Sequence, residues 1–228
     1  MMKTFDLAVE WEEAFESELS RTKKYSDVPV EDWKVSGRAS KLKPNKEDLE
    51  WWKANGLKHV QDYVRWFESS GWGIALMPDG KPGIEWESVV TIAGKEIKLI
   101  VDAIYIRPDG ELVICDYKTG AHDPKGVMQL GLYATAIEIV TGIRPRYGTY
   151  LMTRKTILTD LVDLGQWDKS FFEYQIEALK SYQKADLWPA SVGNECQICS
   201  FTEYCQAFGG TKYKEVPLMQ ITNRKETE

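Results

Sequence analysis

Asp116 and Lys118 close one apolar run, Leu112-Val113-Ile114-Cys115, and Asp102 interrupts an earlier one, Leu99 to Ile106. Two carboxylates and a lysine brought to one point suit metal-assisted cleavage of a phosphodiester. The carboxylates hold a hard divalent cation, magnesium or manganese, which activates water and neutralises developing charge. The lysine then orients the attacking water or stabilises the pentavalent phosphate. An unpaired charge inside an apolar run is costly, which separates these aspartates from ordinary surface acids.

The three groups meet only if the elements carrying them pair in the right register. Residues 99–106 and 111–116 read as two strands joined by Arg107-Pro108-Asp109-Gly110. Proline suits the first centre of a type I turn, aspartate the second, and glycine the left-handed position that follows. That three-residue loop pairs Arg107 with Glu111 and sets Asp102 opposite Asp116. A two-residue loop would slip the register by one and turn the aspartates to opposite faces. Lys118, two residues beyond Asp116, shares its face. A third strand, Ile84 to Ile92, precedes a turn that takes one of two forms. Ala93-Gly94 places Glu85 opposite Asp102, whereas Gly94-Lys95 places Glu87 there. Both glutamates share a face by period-two alternation, so one of them is expected to face the metal.

Beyond Lys118, Asp123 suits a helix cap and Pro124 a first turn, with the helix body running from Val127 to Val140 and ending near Gly142. Gln129 and Tyr133 stand one turn apart on one helix face. The ordered set of Asp102, Asp116-x-Lys118 and Gln129-x-x-x-Tyr133 resembles the PD-(D/E)xK nuclease superfamily, and within it the RecB-like branch of CRISPR-associated and phage exonucleases. The resemblance implies that Gln129 and Tyr133 contact the DNA backbone or position the lysine, and that the Cys115 carbonyl is a further metal ligand. It also draws attention to His59, on a helix before the sheet, where such enzymes carry a metal-ligating or phosphate-steering histidine. His59 stands one residue short of the usual spacing from Gly56, and an ordinary half-exposed histidine is the competing reading. His122 reads as a loop histidine.

Cys196, Cys199 and Cys205 form a Cys-x-x-Cys followed by a third cysteine after five residues. Clustered thiolates suit zinc or an iron–sulfur cluster. RecB-like nucleases with a cluster end in this spacing, after a stretch such as Leu187-Trp188-Pro189, and take a fourth cysteine from near the N-terminus. No cysteine precedes Cys115 here, and Cys115 alternates to the face opposite Asp116, so it reads as a core thiol. A non-cysteine fourth ligand, zinc with water or a carboxylate, and a vestigial site all remain open.

Composition sets the frame. The chain has 228 residues, 43% hydrophobic and 28% charged, enough for one substantial core with a small appendage. No apolar run approaches membrane-spanning length, which excludes a membrane-embedded role and points to the cytoplasm, that of a host if phage-encoded. The net charge of −6 rules out a global basic field, so DNA must be held by a local groove and bound cations. Arg144, Arg146, Arg154 and Lys155 are groove candidates, joined by Arg38, Lys41 and Lys43, though each alone reads as surface charge. Residues 8–21 and 47–67 read as amphipathic helices around a polar connection, 36–46, and 167–184 as a C-terminal helix. Trp33, Trp51, Trp52, Trp66 and Trp72 crowd the N-terminal region, as core or as a base-stacking channel. The tail from Gly209 is polar.

These readings give an α/β fold: a restriction-endonuclease-like mixed sheet flanked by helices. It comprises an N-terminal helical region (1–75), a nuclease core (76–186) and a C-terminal cysteine segment (187–228), compact as one domain. The function expected is a metal-dependent DNA exonuclease of phage-type recombination or end processing, with a recombinase or single-strand-binding protein as partner. The alternatives are a catalytically silent DNA-end module that loads a recombinase, and a zinc-stabilised adaptor in which the cysteines alone matter.

Overall fold

Turn chemistry and alternating apolar residues fold residues 84–118 into an antiparallel meander at the centre of the molecule. A computed structural model describes residues 6–30, 33, 48–120, 124, 126–187, 190–193, 196–197 and 199–212. Arg38, Lys41, Lys43, His122, Asp123, Trp188-Pro189 and the 36–46 connection lie outside the described residues. Contacts divide the chain into two units, residues 1–176 and 177–228, with the boundary inside the last helix.

In the first unit, helices α1 (Leu7–Tyr25) and α2 (Leu49–Ser70) precede the sheet. Each begins at an aspartate that takes a backbone N–H: Asp6 from Ala8, Asp48 from Trp51. Strand β1 (Gly73–Ile74) leads to the meander of β2 (Ile84–Ile92), β3 (Lys95–Ile106) and β4 (Leu112–Lys118). Helix α3 (Met128–Thr141) crosses over to β5 (Tyr147–Met152), which runs parallel to β4. Two short strands, β6 (Ile157–Leu158) and β7 (Val162–Asp163), pair with β5, and α4 (Lys169–Lys184) follows. The sheet is therefore mixed, and the fold is α/β as expected.

Helix packing sets the two faces of the sheet. On one, Tyr63, Trp66 and Phe67 of α2 cover Ala103, Tyr105, Cys115 and Leu151. On the other, the almost wholly apolar α3 buries Leu130, Ala134 and Ile137 against Ile104 and Ile114, with Phe172 of α4 in the same cluster. Gly131 permits the close packing here, because a Cβ at that position would lie 2.3 Å from Trp167 Cβ.

One boundary departs from expectation. Helix α3 starts at Met128, with Val127 at its cap and no side-chain cap bond, so Pro124 does not stand in its first turn. Tyr150 explains the delay: its hydroxyl donates to Gly126 O at 2.5 Å and holds the preceding loop on β5. Tertiary anchoring thus outweighs local capping preference at this end.

Candidate active site

The β3–β4 turn has the expected form. Gly110 adopts φ +87°, its N–H donates to Arg107 O at 2.9 Å, and Arg107 N–H donates to Glu111 O at 2.9 Å. Ala103 pairs with Cys115 and Ile104 with Ile114, a register that carries Asp102 opposite Asp116. Regular pairing ends there. Asp102 takes over the ladder, its Oδ2 accepting from Tyr117 N–H at 2.7 Å. Sequence reasoning missed this bond, although an N–H left over at the end of a ladder was its available signal.

Asp116 is 2% exposed. Its Oδ1 accepts from Gln129 Nε2 at 2.9 Å, and the same amide donates to Tyr133 Oη at 2.7 Å. Its Oδ2 is buried without a properly angled hydrogen-bond donor and is held by charge, with Lys118 Nζ 2.5 Å away. Burial pushes the Asp116 carboxyl above its ordinary range; the Lys118 contact lowers it and the charge of Asp102 raises it again. The Lys118 ammonium also lies 5.5 Å from the centre of the Tyr150 ring. Burial raises the Tyr133 hydroxyl as well, ahead of the opposing bond from Gln129, and so keeps it neutral. Asp102, Asp116, Lys118, Gln129 and Tyr133 are therefore brought together at the end of β4.

The donor chemistry fits a hard cation. Oxygen ligands are what magnesium and manganese select, and a buried carboxylate oxygen lacking a donor is the kind of atom such an ion satisfies. One further acid, Glu85 or Glu87, was expected nearby. The β2–β3 turn is the Ala93-Gly94 form, both residues at positive φ (48° and 70°). Ile84 pairs with Ala103 and Trp86 with Val101, so Glu85, not Glu87, falls opposite Asp102. Glu85 itself has φ +46°, and core packing changes face at this point: Leu99 and Val101 join the α3-side cluster, Ala103 and Tyr105 the other. Glu87 is exposed and lies 3.4 Å from Lys98. Among the described residues, no three of His, Cys, Asp and Glu close into a group able to hold a metal.

His59 and Cys115 belong to the other side of the sheet. Cys115 is fully buried with Tyr105 and Leu151, and burial pushes its thiol up, so it is a core thiol as expected. The His59 ring lies 6.2 Å from that of Trp51 and 6.0 Å from that of Trp52, with Nδ1 buried and unbonded. There too Tyr63, Tyr105 and Tyr117 share a buried cluster of hydroxyls, at 2.5 Å between Tyr105 and Tyr117 and 2.8 Å between Tyr63 and Tyr105.

Of the groove candidates, Arg144 is structural. Its guanidinium bonds Glu138, Thr135 and the carbonyls of Leu164 and Trp167, stitching α3 to the segment before α4. Arg146 pairs with Asp163. Arg154 reaches the neighbourhood of the site, donating from Nε to Thr119 O at 2.5 Å, and Lys155 is exposed.

In the second unit, Cys196, Cys199 and Cys205 are free thiols. Gly193 N–H approaches Cys196 Sγ at 3.4 Å and Phe201 N–H approaches Cys199 Sγ at 3.4 Å. Among the described residues the three sulfurs do not form a metal-binding group, so the cluster expected from their spacing finds no support.

The "Gene 69 protein" of Mycobacterium phage D29 is 30% identical over 159 residues, which is 67% of this chain; the chain spans 58% of that relative's length. The crystal structure of SSO0001 aligns over 88% of this chain and 80% of its own, at 17% identity and a TM-score of 0.37. The profile of the PD-(D/E)XK nuclease superfamily matches residues 10–206. A match of that extent shows that this chain belongs to the PD-(D/E)XK nuclease superfamily.

Proposed function

We propose that the protein is a divalent-metal-dependent deoxyribonuclease that degrades DNA from its ends, as an exonuclease of phage-type recombination or end processing in a host cytoplasm. The observation that carries this reading is Asp116: a buried carboxylate with one oxygen lacking a directional donor, beside Lys118 and across the hairpin from Asp102. Such an arrangement costs stability and is kept where chemistry needs it.

Asp102 and Asp116 would hold the cation, magnesium or manganese, with Glu85 and the Cys115 carbonyl as candidate further oxygen donors. The bound ion supplies a water of lowered pKa and neutralises charge on the phosphate. Gln129 fixes the rotation of the Asp116 carboxylate through its 2.9 Å bond and presents the Tyr133 hydroxyl toward the phosphate. Lys118 places its ammonium where charge develops on the pentavalent phosphorus. A recombinase or single-strand-binding protein is the partner class this role implies.

The test is a time course on end-labelled linear DNA and closed circular DNA with magnesium, manganese or EDTA. Metal-dependent loss of linear DNA with the circle spared is the expected result. Cleavage of the circle would replace the exonuclease reading with an endonuclease. Retention of ends without cleavage in either metal would identify a silent end-binding module.

A further inference from the structure

A cavity of about 390 Å³ lies between α1, α2 and the sheet, on the face opposite Asp116. Its walls include Trp11, Trp52, His59, Tyr63, Tyr117 and Thr153. Nothing in the proposed hydrolysis uses it, yet it is joined to the active site at three points. Tyr117 lies between Asp116 and Lys118 in sequence, and strand alternation sends its ring through to the cavity side. Thr153 donates from N and Oγ1 to Lys118 O, at 3.0 and 3.2 Å. Ile84, also in the wall, immediately precedes Glu85. The cavity thus begins one residue from the carboxylates, about 3.3 Å along the strand.

The walls also indicate what chemistry would fill it. Aromatic and aliphatic surfaces dominate; the hydroxyls of Tyr63 and Tyr117 bond each other and Tyr105, while His59 Nδ1 is buried without a partner. Such walls cover a planar π-face and offer its edge little polar surface beyond the His59 ring. Positive charge stands beside them. The Arg154 guanidinium lies 5.1 Å from the centre of the Trp52 ring, held at Thr119, in a chain whose net charge is −6. An apolar metabolite or a lipid chain would need neither that cation nor the connection to β4. A nucleotide needs both, a flat base and a phosphate beside it.

We infer that this cavity takes one unstacked base of the DNA strand whose phosphate lies at Asp102 and Asp116, the backbone turning around the end of β4. This rests on the nuclease reading and adds to it a single-stranded, base-tolerant seat next to the point of cleavage. Stacking on aromatic side chains is sequence-tolerant and strong enough to be measured one base at a time.

The experiment uses the full chain and short fluorescent single-stranded oligonucleotides, with calcium as the only divalent cation and anisotropy as the readout. An abasic residue is walked inward from the end. Wild type should show one position at which loss of the base weakens binding about tenfold, within the range of a single base–aromatic stack. Val60 of α2 also lines the cavity, so Val60→Trp fills it, or Val60→Phe if the larger variant does not fold. It should bind intact DNA about tenfold more weakly and be indifferent to the abasic residue. A flat abasic profile in wild type, or an unchanged profile in the filled variant, overturns the inference. Cleavage of the same unmodified oligonucleotides in manganese is scored separately. Cleavage with a flat profile removes the base seat alone, and a sharp profile without cleavage removes the nuclease reading alone.

Discussion

Asp116 carries a charge that the fold does not reward. Burial holds its carboxyl above the ordinary range, so the ionised form destabilises the metal-free protein. The sign follows from linkage: well below the ordinary carboxylate range the group is neutral both folded and unfolded, and the penalty vanishes. As pH rises past the raised folded value the penalty becomes complete. Asp116→Asn should therefore melt a few degrees above wild type at neutral pH without metal, about 1 kcal/mol on the usual scaling for this size. The gap should close on acidification. Manganese should then raise the melting temperature of wild type and leave the variant unmoved; equal stabilisation of both would remove Asp116 from the metal site. Lys118→Ala acts differently. A lysine is no metal ligand, so cation titration should remain near wild type while cleavage falls by two orders of magnitude or more. Near-wild-type turnover in Lys118→Ala, at saturating manganese, would sink its assigned role.

The elements that carry these residues were legible wherever turn chemistry was unambiguous. Pro108 at the first turn centre favours the three-residue loop over a two-residue Asp109-Gly110 turn, and the Asp102–Asp116 register followed from it. Ala93-Gly94-Lys95 admits two. The choice rests on Ala93 accepting a left-handed conformation, which glycine makes easy and alanine does not. The start of α3 was illegible for another reason, since Tyr150 fixes it from a strand that comes later in the chain. The structural role of Arg144, read as a groove candidate or surface charge, was illegible because its carbonyl partners, Leu164 and Trp167, are distant in sequence. Glu85 gives this scale its prediction. A non-glycine residue at φ +46° carries about 1–2 kcal/mol of backbone strain, and such strain is tolerated where function holds it. Glu85→Gly should relieve it, leaving stability unchanged or slightly raised, while weakening the affinity for manganese. Glu87→Gln, on an exposed side chain beside Lys98, should change neither. Unaltered manganese titration in Glu85→Gly would mean that the strain serves no ligand.

At the scale of the whole molecule, the carboxylate chemistry and the cysteines fall in different units, 1–176 and 177–228. Among the described residues no helix is long and apolar enough to cross a membrane. The cysteine spacing was the most specific local pattern in the C-terminal region, yet spacing alone does not make thiolates converge; the intervening chain must turn them inward. Here it does not. Cys199 is exposed, and its sulfur accepts from the Phe201 N–H at 3.4 Å. Cys196 is half-buried, between Gly193 N–H and Ser191 O. A three-thiolate set would also leave one coordination position to a weaker ligand, a poor basis for holding iron or zinc. Cys199→Ser should accordingly shift stability by no more than about 0.5 kcal/mol, the usual range for a surface change. Metal-dependent cleavage should be unaffected, because the hydrolytic site is built from oxygen donors on β3 and β4. Metal analysis of anaerobically purified protein is the decisive companion measurement. Iron or zinc at one equivalent in wild type, lost together with several degrees of melting temperature in Cys199→Ser, would show that the cysteines close on an ion after all. It would make the C-terminal unit a metal-dependent fold beside the nuclease, rather than a thiol-bearing segment that folds without one.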